Sequence, residues 1–365
     1  FFYVKNYYTT HESRIWLRKN KPMTVLPKDV PVPDYFPDLP EVREGIARKY
    51  SNIEALDKEV GELLNKLEVD GVLDNSIIFF WSDHGGNLLR QKRAVGNSGL
   101  NVPLIIRYPD GHRKGQTDDR MVSLMDLGPT VMSILGIEPP TYMDGKPFAG
   151  KFEKSPRKYI FGSADRFDES TDMQRSVLDG RFVYIKNFMP ELPLIYRNKY
   201  REQIPMNKLL IDLNYNGDLQ GDASYIFMSK KPIEELYDLS SDPYEVNNLA
   251  NNEDFKYKLL ELRKQLENWQ IEVDDKGFLP ESEIINEFWP NMIQPVTSDV
   301  SINISNNEIT LNCNTEGASI GYQTDGDIGT KFWQLYTKPI DLEGIEKICA
   351  RATRIGYKAS KITSN

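Results

Sequence analysis

Three short stretches of this chain carry residue types that could do chemistry together. Ser82-Asp83-His84-Gly85-Gly86 sets a carboxylate beside an imidazole, a pair able to hold a metal ion. The two glycines would let the backbone approach a ligand closely. A few residues on, Arg90-Gln91-Lys92-Arg93 gathers three cations in four residues, suited to an anion. His11 lies in the third stretch, Thr9-Thr10-His11-Glu12-Ser13-Arg14. A metal pair next to a cationic cluster describes a site for an oxyanion ester. The same residues also fit plainer roles: Asp83 as a turn cap, the arginines as a solvated face, His11 as a polar turn residue.

Such residues need elements to position them. Residues 77–81 are an unbroken apolar run, and residues 102–106 are another. Runs of that length read as strands buried on both faces, as in a parallel sheet. The Asp-His pair then falls at the C-terminal end of a buried strand, where open α/β sheets bind ligands. Residues 1–8 (FFYVKNYY) read as a further buried strand running into the His11 turn. Between them, prolines punctuate a loop over 20–40. From Glu41 the apolar residues Ile46, Tyr50, Ile53, Leu56, Val60, Leu63, Leu64 and Leu67 recur at three- and four-residue steps. This is an amphipathic helix closing at Gly71. Strand, helix, strand predicts a right-handed crossover and a mainly parallel sheet.

The stretch 77–109 resembles the sulfatases of the alkaline-phosphatase superfamily. There a buried strand ends in Ser-Asp-His/Asn-Gly and supplies two metal ligands, matched here by Asp83 and His84. A lysine further on contacts the sulfate, matched by Lys92, and a strand beginning Pro-Phe-Phe runs into a His-bearing turn, matched by His11. The resemblance implies catalytic roles for His11 and Lys92, and substrate contacts from Arg90, Arg93 and Arg166. It implies Ca2+, with Mg2+ or another divalent ion as alternatives. Where the family usually reads Tyr-Asp/Glu-x-Gly-x-Arg/His before Val-Pro-Leu-Ile, this chain has Gly96-Asn97-Ser98-Gly99-Leu100-Asn101. The aromatic and the basic residue are missing, which leaves the surrounding substrate contacts open.

The family's nucleophile is a formylglycine made within Cys/Ser-x-Pro-x-Arg, a pattern that does not occur in this chain. The expectation is therefore a fragment that starts near the family's midpoint and is inactive alone. The intact protein is expected to be a sulfuric ester hydrolase desulfating a carbohydrate or glycosaminoglycan, periplasmic or secreted. A phospho-mono- or diester hydrolase of the same superfamily and a catalytically dead carbohydrate-binding protein are the alternatives. The former usually binds two metals with further histidines, and this chain has three histidines in all.

The expected fold is part of an α/β/α sandwich with a mainly parallel sheet over 1–157. A smaller antiparallel sheet with a helix follows over 158–273, then a linker over 274–295. Asp179-Gly180 marks a hairpin, residues 188–230 read as a long insertion walling the pocket, and about 253–273 as the last helix. Short alternating strands over 296–365 resemble the fibronectin-III-like, chitobiase C-terminal-like β-sandwiches appended to carbohydrate enzymes. Both cysteines, Cys313 and Cys349, lie there, and one disulfide or two free thiols fit equally. With 365 residues, 39% of them hydrophobic, the chain can build a sizeable core. Forty-five basic against 54 acidic residues give a net charge of −9, which argues against a general nucleic-acid binder. No stretch approaches the roughly 18 apolar residues of a membrane span.

Overall fold

The computed structural model describes residues 2–167 and 169–365, without the Asp110 side chain. It divides into two units, Phe1–Asp274 and Asp275–Asn365.

Residues 2–8 have no regular secondary structure and belong to no sheet, and Phe2, Tyr3 and Val4 are exposed. The strand expected over 1–8 therefore does not form among the described residues; its first position, Phe1, lies outside them. Apolar composition makes a strand only where a neighbour supplies the ladder of hydrogen bonds. After α1 (Ser13–Leu17) comes the long helix α2 (Pro40–Val69). Proline at its first position costs no hydrogen bond and presets φ. Its first half is the buried half, through Val42, Ile46 and Ala47, while Tyr50 and Ile53 on the expected apolar stripe are exposed.

Strand β1 (Ile78–Trp81) is followed by α3 (Asn97–Leu100), β2 (Leu104–Arg107) and α4 (Leu127–Ile134). β1 and β2 pair antiparallel, with Phe79 opposite Ile106 and Trp81 opposite Leu104. The mainly parallel sheet expected from sequence is not formed among the described residues. A parallel pair needs a crossover of a dozen or more residues, usually a helix, and only the four-residue α3 lies between these strands.

Next come β3 (Ile160–Phe167), β4 (Ser170–Leu178), β5 (Phe182–Asn187), α5 (Pro205–Asn216), α6 (Asp222–Tyr225), β6 (Glu234–Asp238) and α7 (Lys256–Glu272). The strands form one antiparallel sheet in the order β3-β4-β5-β6. α7 lays Leu259, Leu262 and Leu266 on Val177, Tyr184 and Leu236.

The insertion at 188–230 carries α5 and α6 and contributes to the interior. Ile204, Met206, Leu210, Ile226 and Phe227 share one apolar core with Val42 and Ile46 of α2 and with Leu88 and Leu89. That core sits directly beneath the loop carrying Arg90 to Arg93. Met206 and Leu210 are one helical turn apart and Gly217 ends α5 in the left-handed conformation, so a helix signal was present there.

In the second unit, residues 276–292 carry short helical turns, among them α8 (Glu281–Phe288), where a linker was expected. Strands β7 (Ser301–Ser305), β8 (Glu308–Asn312), β9 (Ser319–Thr324), β10 (Gln334–Leu335), β11 (Ile340–Asp341), β12 (Ile348–Thr353) and β13 (Thr363–Ser364) follow. They make two antiparallel sheets, β11-β8-β7 and β10-β9-β12-β13. Ile309 and Leu311 of one share a core with Ile320, Ile348 and Ala350 of the other. Cys349 is buried, Cys313 half-buried, and both are free thiols.

Candidate active site

The His11 turn is tied to the loop after β1 by two independent sets of contacts. Asn87 donates its Nδ2–H to Thr10 O at 2.8 Å. One residue past His11, Glu12 is 2% exposed and accepts from two neighbouring cations of that loop. Lys92 Nζ donates to its Oε1 at 3.0 Å. Arg93 grips both oxygens as a fork, Nη1 to Oε2 at 3.0 Å and Nη2 to Oε1 at 3.1 Å. Burial works against the Glu12 carboxylate, but hydrogen bonds from Arg93 and Lys92 outweigh it and hold its pKa below the ordinary value. Glu12 was given no role in the sequence. The partial signal was electrostatic: any of the cations over 90–93 that becomes buried needs a partner.

His11 itself stands half-buried with Nδ1 at 2.9 Å from Ser13 Oγ. Its pKa is lowered, chiefly by burial, then by the positive charge of Lys92; Glu12 opposes this, and His84 adds to it. Lys92 and His84 thus both lie near enough to His11 to act on its charge.

Asp83 and His84 follow β1 after Ser82, and their arrangement is open. The Asp83 side chain is 87% exposed, with Oδ1 at 3.8 Å from His84 Nε2. His84 turns Nδ1 onto Gly85 O at 2.8 Å, which makes Nδ1 the donor and leaves the Nε2 lone pair outward. An imidazole held this way by a carbonyl is oriented as metal-ligating histidines are. These two donors fit part of a divalent-cation shell. No group of three histidine, cysteine or acidic ligands occurs among the described residues.

The glycines of the loop serve its own folding. A Cβ on Gly85 would lie 2.0 Å from Ser98 O, and one on Gly86 would lie 1.9 Å from Gln91 Oε1. They allow close approach of the chain to itself, where approach to a ligand was expected. Gln91 Oε1 accepts from Lys49 Nζ at 3.0 Å and from Leu88 N at 3.3 Å, and its Nε2 donates to Tyr35 Oη at 3.1 Å. Helix α2 thereby fixes the loop from below.

The three arginines expected as substrate contacts part company. Arg90 is buried, and its guanidinium donates to the main-chain carbonyls of Tyr244 and Glu245 while packing over the Tyr35 ring. That is a correction: a cation spent on two carbonyls in the interior is a structural clamp. Arg93 has a 10% exposed side chain locked on Glu12 and stacked over Phe167. Arg166 is exposed on β3. His112, given no role in the sequence, packs edge-on against Tyr108 at 5.4 Å.

Residues 5–137 match the family model described as Sulfatase. An ulvan-active sulfatase of Formosa agariphila is 42% identical over 98% of this chain and 61% of its own length. The N-sulphoglucosamine sulphohydrolase of Homo sapiens is 27% identical over 76% of this chain and 58% of its own. The chain thus spans about three-fifths of the length of these relatives. Among solved structures, BT1596, a 2-O GAG sulfatase, aligns with 66% of this chain and 46% of its own at TM-score 0.49 and 19% identity. Proteins of the sulfatase family use a divalent metal. No helix among the described residues is long and apolar enough to cross a membrane.

Proposed function

We propose that this chain is part of a sulfuric ester hydrolase that removes sulfate from a carbohydrate. The observation that carries the reading is the convergence of His11 and Lys92, distant in sequence, around Glu12 and within reach of His84. The likeness to an ulvan-active sulfatase along 98% of the chain supports it, with ulvan or a related sulfated carbohydrate as the proposed substrate class. A location outside the cytoplasm, periplasmic or secreted, goes with a polymeric substrate of that kind.

In this reading Lys92 offers the ester oxygens the ammonium hydrogens not given to Glu12, neutralising charge as the S–O bond breaks. His11, its pKa lowered, is neutral at pH 7 and suited to a hydrogen bond with the ester. Asp83 and His84 are two donors for the divalent ion, calcium by the family resemblance; bound there, it would draw negative charge from the sulfuryl group. The attacking group is the formylglycine, whose motif this chain lacks.

Binding therefore tests the reading where turnover cannot. Calorimetry with a sulfated oligosaccharide and its desulfated counterpart should give a heat of binding for the first alone. Lys92→Met should weaken binding about tenfold or more, the scale of one charge-assisted contact. Equal binding of both sugars contradicts the proposal.

A further inference from the structure

The Glu12 carboxylate raises a question that the sulfate-binding reading, on which this inference rests, leaves open. A site for an anion gains by exposing its cations, yet here a buried carboxylate is bonded to two of them. The three groups are not equivalent. The Arg93 guanidinium spends two parallel N–H bonds on Glu12, and its plane lies over the Phe167 ring at 4.7 Å from ring centre to Cζ. Lys92 gives Glu12 one bond and keeps a 16% exposed side chain. The fork aims the carboxylate, and the carboxylate aims the ammonium.

We propose that Glu12 is a positioning and specificity residue: it fixes Lys92 beside His11 and holds down the positive charge that a tetrahedral ester meets there. The consequence is chemical. A sulfate monoester carries one negative charge, whereas a phosphate monoester, with its second ionisation near pH 6, carries close to two above neutrality. The two are nearly the same shape, so hydrogen-bond geometry separates them poorly. Local charge separates them well, because each added positive charge favours the dianion over the monoanion. Glu12 removes one such charge from contact range, where low-dielectric surroundings make it count.

The test compares two small esters, methyl sulfate and methyl phosphate, on the full 365-residue chain at pH 8. Their affinities are read from the imidazole signal of His11 in histidine-labelled protein. The wild-type chain should favour methyl sulfate. Glu12→Gln raises the local charge by one and should move the affinity ratio about tenfold or more toward methyl phosphate. Glu12→Asp keeps the charge and should keep the preference. The double variant Glu12→Gln/Arg93→Gln removes one charge of each sign and should return the ratio to near wild type, which also covers the case in which Glu12→Gln alone fails to fold. A role in packing alone predicts the opposite order, with the double variant the most impaired and the ratio unmoved. Saturable binding in the wild type with an unchanged ratio in Glu12→Gln, or a phosphate preference in the double variant, overturns this inference and leaves the sulfate site standing. No saturable response of His11 to either ester overturns the site itself and the inference with it.

Discussion

Lys92 Nζ lies 3.0 Å from Glu12 Oε1 across eighty residues of sequence. That bond, with the Arg93 fork beside it, fastens the His11 turn to the loop after β1. Neither segment has regular structure of its own to hold it: His11 sits between the irregular residues 2–8 and a five-residue helix, and residues 82–96 carry no helix or strand. Removing Glu12 should therefore loosen the join, leaving the Asn87–Thr10 bond to hold the two segments together.

The acid limb of stability follows from the same contact. Glu12 has a folded-state pKa below its ordinary value. Its stabilisation is thus complete above the unfolded pKa, near 4.5, and is lost as pH falls through the lower folded value. Urea midpoints of Glu12→Gln measured from pH 7 to pH 3 should fall less steeply than those of the wild type over the acid part of that range. Parallel curves would mean that the ion pair contributes nothing.

His11 should titrate below 6.5, because burial and then Lys92 both disfavour its cation. The sign is clear: its neutral form is favoured on folding, so this group adds stability as pH rises through the unfolded value. Histidine-resolved NMR should put its midpoint under 6.5 and show it moving upward in Lys92→Met. A midpoint above 6.5 would contradict the placement of Lys92 beside it.

Asp126 offers a control on structure away from the site. It is 1% exposed and accepts from Arg157 Nε at 2.9 Å and Nη2 at 2.5 Å, and from the backbone N–H of Lys146 at 2.6 Å. Asp126→Ala leaves the Arg157 charge without its partner and should cost about 3 kcal/mol in denaturant unfolding. Retained stability would show that the 123–157 segment is held by other contacts. Ester binding should be unaffected in protein that still folds.

Arg90 shows how far the sequence could be read. Three cations within four residues looked alike, and only the fold distinguishes the one pointing inward to Tyr244 and Glu245 from the two that meet Glu12. Helix α2 was legible because a 3.6-residue pattern is local. The pairing of β1 was not, since an apolar run says that a strand is buried and nothing about the direction of its neighbour. Residues 2–8 went further astray: their composition is that of a strand, and strand formation depends on a partner that composition does not name. Glu12 was passed over for the same reason, its role being set by residues far along the chain.

The metal pair can be tested alone. Asp83→Ala should abolish calcium-dependent changes in the His84 imidazole signal, since both donors flank one position. An unchanged calcium response would remove Asp83 from the site.

We propose that His11 and Lys92 face one sulfate ester, with His84 beside it holding the divalent ion. The chain has three histidines, two in this site and His112 outside it, so one labelled sample reports on both. Titration with a sulfated oligosaccharide should shift the His11 and His84 signals with a common saturation curve and leave His112 still. Shifts at His112, or a response at His84 with none at His11, would contradict the account.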